Sequence, residues 1–115
     1  NLNELTDFMF HHCYNLKNVE IPDTITEIPY GAFYGCTKLA SVKLPANLKK
    51  IDATAFISCV NLTEIKIPPT VKEIGRSAFK NCRRLETVNM TSSEDMVIHK
   101  SAFKDTPYAK TKDTK

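Results

Sequence analysis

The residues whose types could do chemistry together stand near the start of the chain, His11, His12 and Cys13 in "FHHC". Two imidazoles beside a thiol could open a metal site or form a thiolate–imidazole nucleophile. A metal site needs further ligands at fixed spacing, and a nucleophile needs an oriented base. The other chemistry-bearing candidates are Cys36, Cys59 and Cys82, with His99 far down the chain. What positions these residues decides whether they can meet.

The cysteines are evenly spaced. Cys13, Cys36, Cys59 and Cys82 follow one another at 23 residues, and Phe10, Phe33, Phe56 and Phe79 keep the same interval three residues earlier. Phe103 comes after 24. Leu16, Leu39, Leu62 and Leu85 hold the register, as do Val19, Val42, Ile65 and Val88. Prolines recur at Pro22, Pro45 and Pro68, where Thr91 breaks the column. So many columns in step define an internal repeat, read as L-x-x-V-x-I-P-x-x-(I/L/V)-x-x-I-x-x-x-A-F-x-x-C-x-x. Units are placed at 16–38, 39–61, 62–84 and 85–108, with a partial unit at 1–15 and a polar tail at 109–115.

The repeat answers the opening question. The slot after each Phe holds His11-His12, Tyr34-Gly35, Ile57-Ser58, Lys80-Asn81 and Lys104-Asp105. It varies and is mostly polar, so it faces water. The Cys column is inward in register. His11 and His12 are therefore expected as an exposed pair beside a core cysteine. No catalytic residue, metal ligand or cofactor site is assigned. No phosphate loop, paired acidic motif or Ser-x-x-Lys occurs, and polar slots differ from copy to copy. An enzyme is not expected. Nor are disulfides: stacked parallel side chains are poorly aimed for the bond, and each Cys fills a slot suited to a small, weakly polar group.

Each unit holds a short alternating stretch, "NVEI", "SVKL", "EIKI" or "TVNM", the pattern of a half-buried strand. Proline closes it, having no N–H for the next ladder bond. A second apolar pair follows, as in Ile25/Ile28. Then A-F-x-x-C places apolar groups at i, i+1 and i+4, which predicts one turn of α or 3₁₀ helix. A 23-residue unit cannot bury enough surface to fold alone, so the units must stack as a solenoid. Stacking would run the Phe column into an aromatic spine.

The unit "LTEIKIPPTVKEIGRSAFKNCRR" (62–84) resembles the BspA-type leucine-rich repeat, on the strength of L-x-x-I-x-I-P, V-x-x-I-G and A-F-x-x-C in one frame. The resemblance covers nearly the whole chain. It implies a strand-rich α/β right-handed solenoid of four to five repeats, with short helical or 3₁₀ turns and a strand-lined concave face. It also implies a surface or secreted protein, and for some members adhesion to host matrix proteins. Gly75 has the family's glycine; Pro29, Asp52 and His99 depart from it. The last unit has Thr106 for Cys and one extra residue in "TSSEDM", read as a C-terminal cap. The N-terminal edge shows no polar change, so it is expected to continue upstream or to pair with something, self-association included.

The function expected is protein binding, with a structural spacer as the alternative. Candidate binding residues on the concave strands are Asn18, Glu20, Ser41, Lys43, Glu64, Lys66, Thr87 and Asn89. Opposite charges one unit apart, there and in Glu27, Lys50 and Glu73, should lie side by side. Tyr30, Tyr34 and Arg76 mark an alternative edge surface, richer in the residue types of binding hot spots. The net charge of +3 gives no case for nucleic acid, and no apolar run is long enough to span a membrane. Asn61 and Asn89 fit the N-glycosylation pattern, which matters only for a secreted eukaryotic protein. The chain begins at Asn1, so a missing leader is uninformative about secretion.

Overall fold

The computed structural model describes residues 5–90 and 96–112, with side chains to Ala109. Four coils each contribute a three-residue strand and a two-residue strand. The first kind are β1 (Asn18–Glu20), β3 (Ser41–Lys43), β5 (Glu64–Lys66) and β7 (Thr87–Asn89). The second are β2 (Glu27–Ile28), β4 (Lys50–Ile51), β6 (Glu73–Ile74) and β8 (Val97–Ile98). A helix, α1 (Pro107–Lys112), closes the sequence of elements.

All pairing is parallel and in the register of the repeat. Asn18 lies opposite Ser41, Val19 opposite Val42 and Glu20 opposite Lys43. The two-residue strands form one continuous sheet, β2-β4-β6-β8. The offset is 23 from Lys50 to Glu73 but 24 from Glu73 to Val97. The extra residue is thus taken up between β7 and β8. The segment 91–95, with Thr91 and most of "TSSEDM", lies outside the described residues, as do Leu2 and the rest of 1–4.

The interior is built as the repeat requires. Phe33, Phe56 and Phe79 are fully buried, and Phe10 to Phe103 form one stack with ring centroids 5.2–5.4 Å apart and planes within 10°. That spacing lies close to the rise between neighbouring strands. Alanines 32, 55, 78 and 102 fill the space beside the rings without exposure.

The A-F-x-x-C segment corrects one expectation. It is a run of turns and contains no helix. Ala32 N–H donates to Pro29 C=O, Tyr34 to Gly31 and Cys36 to Phe33. The intervening N–H groups of Gly31, Phe33 and Gly35 donate instead to Ala53, Ala55 and Ile57 of the next coil. Half the donors close local turns and half bind the neighbour, so a continuous helical ladder cannot form. The first four turn walls take positive φ at two places each, the last at Asp105 alone among the described residues. Gly31 and Gly35 hold them in one coil (φ 61° and 70°); Thr54 and Ser58, then Ser77 and Asn81, hold them in the next two. These are the third positions of type II-like turns, where Gly or Asn is usual.

The cysteines complete this wall. Cys36 Sγ–H donates to Phe10 C=O at 3.0 Å, Cys59 to Phe33 at 3.3 Å and Cys82 to Phe56 at 3.1 Å. Each of these carbonyls also accepts the N–H of its own coil's cysteine. All four thiols are free. At the last coil Thr106 takes over. Its Oγ1 donates to Phe103 C=O and accepts the N–H of Ala109, capping α1 with Pro107 at the first helical position.

Candidate functional site

Two surfaces carry the residues singled out from sequence. On the three-residue strands, Val19, Val42, Ile65 and Val88 turn inward, and all eight candidates between them are exposed. Cross-strand contacts tie these candidates in pairs. Lys43 Nζ lies 3.7 Å from Glu20 Oε2, and Ser41 Oγ donates to Asn18 Oδ1 at 2.6 Å. Asn89 Nδ2 donates to Glu64 Oε2 at 2.9 Å. On the other strand face Lys50 and Glu73 meet at 4.0 Å. Such exposed pairs fix register more than they add stability.

The pairing is not continuous. β1 joins β3 and β5 joins β7, but no ladder joins β3 to β5. The repeat register would set Lys43 directly opposite Lys66 at this step, a like-charged cross-strand pair. Glu20–Lys43 and Glu64–Asn89 are the attractive pairs on either side of the break. Lys43 and Lys66 stand 23 residues apart, so the sequence carried this like-charged step although the reading by candidates passed over it.

The second surface is the turn wall of the first two coils. Phe8, at φ 57°, sits edge-on to Tyr30 with centroids 5.2 Å apart and 6.3 Å from Tyr34. His12 stacks on Tyr14 at 5.6 Å and meets Tyr34 edge-on at 5.5 Å. His11 Nδ1 is 2.8 Å from Phe8 C=O, which fixes its ring. Phe8, Met9, Tyr14 and Tyr30 are 41–55 % exposed. This continuous aromatic and imidazole patch stands on a hydrogen-bonded wall: Phe8 N–H donates to Tyr30 C=O, and His12 N–H to Tyr34 C=O.

The structure therefore brings Tyr30 and Tyr34 together with Phe8, His11, His12 and Tyr14. Arg76 is exposed, but it lies in the Tyr30 column two coils on, where its C=O accepts Thr54 N–H. Phe8 and Tyr14 stand outside the apolar columns of the repeat. The sequence did not show that the turn-wall position of Phe8 drives its ring onto the next coil. Cys13 packs half-buried against the core, apart from the exposed imidazoles. Among the described residues no three His, Cys, Asp or Glu side chains gather to hold a metal. Burial pushes the Cys36, Cys59 and Cys82 thiols up, the opposite of an activated nucleophile. No described helix is long and apolar enough to cross a membrane.

Comparison with known proteins adds to this geometry. The family model described as "BspA type Leucine rich repeat region (6 copies)" matches residues 1–112. A search of curated proteins found no match. Among solved structures, a leucine rich cell surface protein of Faecalibacterium prausnitzii is 38 % identical over 76 % of this chain, with a TM-score of 0.73. A leucine-rich repeat protein of T. pallidum is 37 % identical over 70 %, TM-score 0.69. One from Bacteroides capillosus is 35 % identical over 76 %, TM-score 0.67. The chain spans 23 %, 38 % and 62 % of these proteins, respectively.

Proposed function

Because the chain belongs to the BspA-type leucine-rich repeat family, we propose that it is a non-catalytic protein-binding module of a surface or secreted protein, anchored through the Phe8–Tyr30 patch. Leucine-rich repeats are in general protein-interaction modules, and stacked coils offer an extended rigid surface for one. The observation that carries the choice of patch is its composition and support. Three aromatic side chains, Phe8, Tyr14 and Tyr30, are 41–55 % exposed on a backbone already ordered by hydrogen bonds between coils. Tyr is enriched in binding hot spots, and a preordered surface loses little entropy on binding. The strand face, by contrast, presents Asn, Ser, Thr, Glu and Lys whose partners are mostly each other.

Its location outside the cell is supported by the likeness to the F. prausnitzii cell surface protein. The partner class is then an extracellular protein, host matrix proteins included. The test is surface binding of the purified chain to immobilised matrix proteins. Saturable binding that falls about tenfold or more in Tyr30→Ala, a loss of at least ~1.4 kcal/mol, is the expected result. Binding unchanged by Tyr30→Ala and Tyr34→Ala would move the site elsewhere. No saturable binding to any of them would favour a structural spacer.

A further inference from the structure

The turn wall changes character along the solenoid. Its Tyr30 column reads Tyr30, Ala53, Arg76 and Lys100, and its Tyr34 column reads Tyr34, Ile57, Lys80 and Lys104. The aromatic end gives way, two coils on, to a basic one. Arg83 and Arg84 follow at the corner after Cys82, and Arg83 shares a cleft of about 410 Å³ with Asp105 and Thr106 of the last coil. Asp105 is the single acidic residue within 76–84 and 100–105. Five of the six cations are exposed, and Lys80 is half-buried. Among the described residues none of the six makes an ion pair or a side-chain hydrogen bond. Phe79 N–H donates to Ala102 C=O at 2.7 Å and Asn81 N–H to Lys104 C=O at 2.9 Å, which locks the two coils in register. Arg76 is thereby set against Lys100, and Lys80 against Lys104, like charges with nothing between to offset them. The last coil adds backbone donors. Phe103 and Asp105 take the places of Phe79 and Asn81, but α1 follows instead of another coil, and their N–H groups meet no acceptor among the described residues. Both residues border, with Lys100 and Lys104, a groove of about 650 Å³.

We propose that this basic end of the turn wall binds a sulfated polysaccharide, a ligand distinct from the protein partner of the aromatic patch. Sulfate groups repeated along one chain lie against Arg76 and Lys100, Lys80 and Lys104, and Arg83. Charge complementarity selects the class. Clustered cations without acidic partners set up a positive field that one small anion cannot offset, whereas a repeating polyanion meets all of it. Arginine adds a fork of N–H donors suited to an oxyanion. Nucleic acid fits less well, because the wall here carries no exposed aromatic ring for a base to stack on; Phe79 and Phe103 are buried. The choice of a polysaccharide among polyanions also rests on the extracellular reading above.

The probe is a fluorescein-labelled heparin octasaccharide, with the desulfated octasaccharide as control, followed by anisotropy on the full chain. The sulfated probe should bind saturably, at least about tenfold tighter than the control, and weaken steeply as salt rises. Arg76→Gln and Lys104→Gln should each weaken it about threefold or more, and Asp105→Asn should tighten it. Lys38→Gln removes the same charge from the Arg84 column two coils earlier and should leave binding unchanged. Equal binding of both octasaccharides, no saturable binding, or equal weakening by Lys38→Gln would overturn the proposal. Displacement by inorganic sulfate at matched charge would reassign the patch to simple anions. Tighter binding of single-stranded polythymidylate, polyglutamate or phosphatidylserine vesicles would reassign it to nucleic acid, acidic protein or membrane, and each of these results overturns the polysaccharide. Lys104→Gln should keep its saturable binding to glycan-free matrix proteins, so this proposal and the aromatic-patch reading fail separately. Loss of both in Lys104→Gln would overturn the claim of a second ligand.

Discussion

Replacing Cys82 by alanine should cost stability at neutral pH and cost little or nothing at high pH. Cys82 is fully buried, and its thiol hydrogen is held by Phe56 C=O. Burial raises its pKa from the ordinary 9.0 of a free thiol to about 12, an effect partly offset by the backbone of Cys59. The unfolded chain therefore releases this proton at lower pH than the folded one. The contribution to stability is complete below about pH 9 and is lost as pH climbs toward 12. The slope is about 1.4 kcal/mol per pH unit for one thiol. Between about pH 9 and pH 10.5 the wild type should lose ~2 kcal/mol that Cys82→Ala does not lose. Urea unfolding of both proteins under reducing conditions measures this. Lysine and tyrosine titrations are common to both and cancel in the difference. Burial also raises Cys59, well above its usual value, and Cys36. The wild type should thus fall more steeply than one thiol requires. A stability gap constant from neutral pH to about pH 10.5 would refute the reasoning, as would native-state labelling of Cys82 at the rate of a free thiol.

Further expectations concern the spine and the turn wall. Phe56→Ala removes a fully buried ring stacked at 5.2 Å on both sides and should cost about 3–5 kcal/mol in denaturant unfolding. Phe10→Ala should cost roughly half as much, because that ring is partly exposed and stacks on Phe33 alone. Equal costs would argue against a stacked interior. Thr54 is β-branched at φ 57°, so Thr54→Gly should relieve about 1–2 kcal/mol of backbone strain against ~0.5–1 kcal/mol of glycine entropy. A small net rise in melting temperature is expected, and a fall would show that its Oγ1–Ala53 contact matters more. A Cβ at Gly75 would lie 2.7 Å from Ala53 N, a backbone atom that cannot swing away. Gly75→Ala should destabilise by about 1–3 kcal/mol, and a neutral result would mean the coils can part there.

The spacing of the Phe and Cys columns was enough to predict coils, parallel pairing and register, because a stacked column must repeat at the coil length. Glu20–Lys43 and Lys50–Glu73 followed from the same register. The turn wall was harder to read. Its positive-φ positions are held in most coils by Phe8, Thr54, Ser77, His12 and similar residues, so only Gly31 and Gly35 betray them. Apolar spacing alone fits a helix turn equally well. The cysteine slot was legible as small and buried, but the direction of its S–H depends on a carbonyl 26 residues earlier. The aromatic patch joins residues 8 to 34 across two coils, and the break between β3 and β5 falls where Lys43 and Lys66 share a register. Both depend on what adjoins in space, which a column-by-column reading captures only if charge and ring contacts are followed between copies.

The two ends of the Phe stack differ. Within the stack the rings lie parallel, but Tyr108 closes it edge-on to Phe103, tilted 66° at 5.1 Å, held on a helix that Thr106 begins. No further coil can add in register over that ring without first displacing α1. A second copy stacking its coils on this face would meet Tyr108 and α1 before the Phe103 ring, so α1 shields the face against open-ended polymerisation.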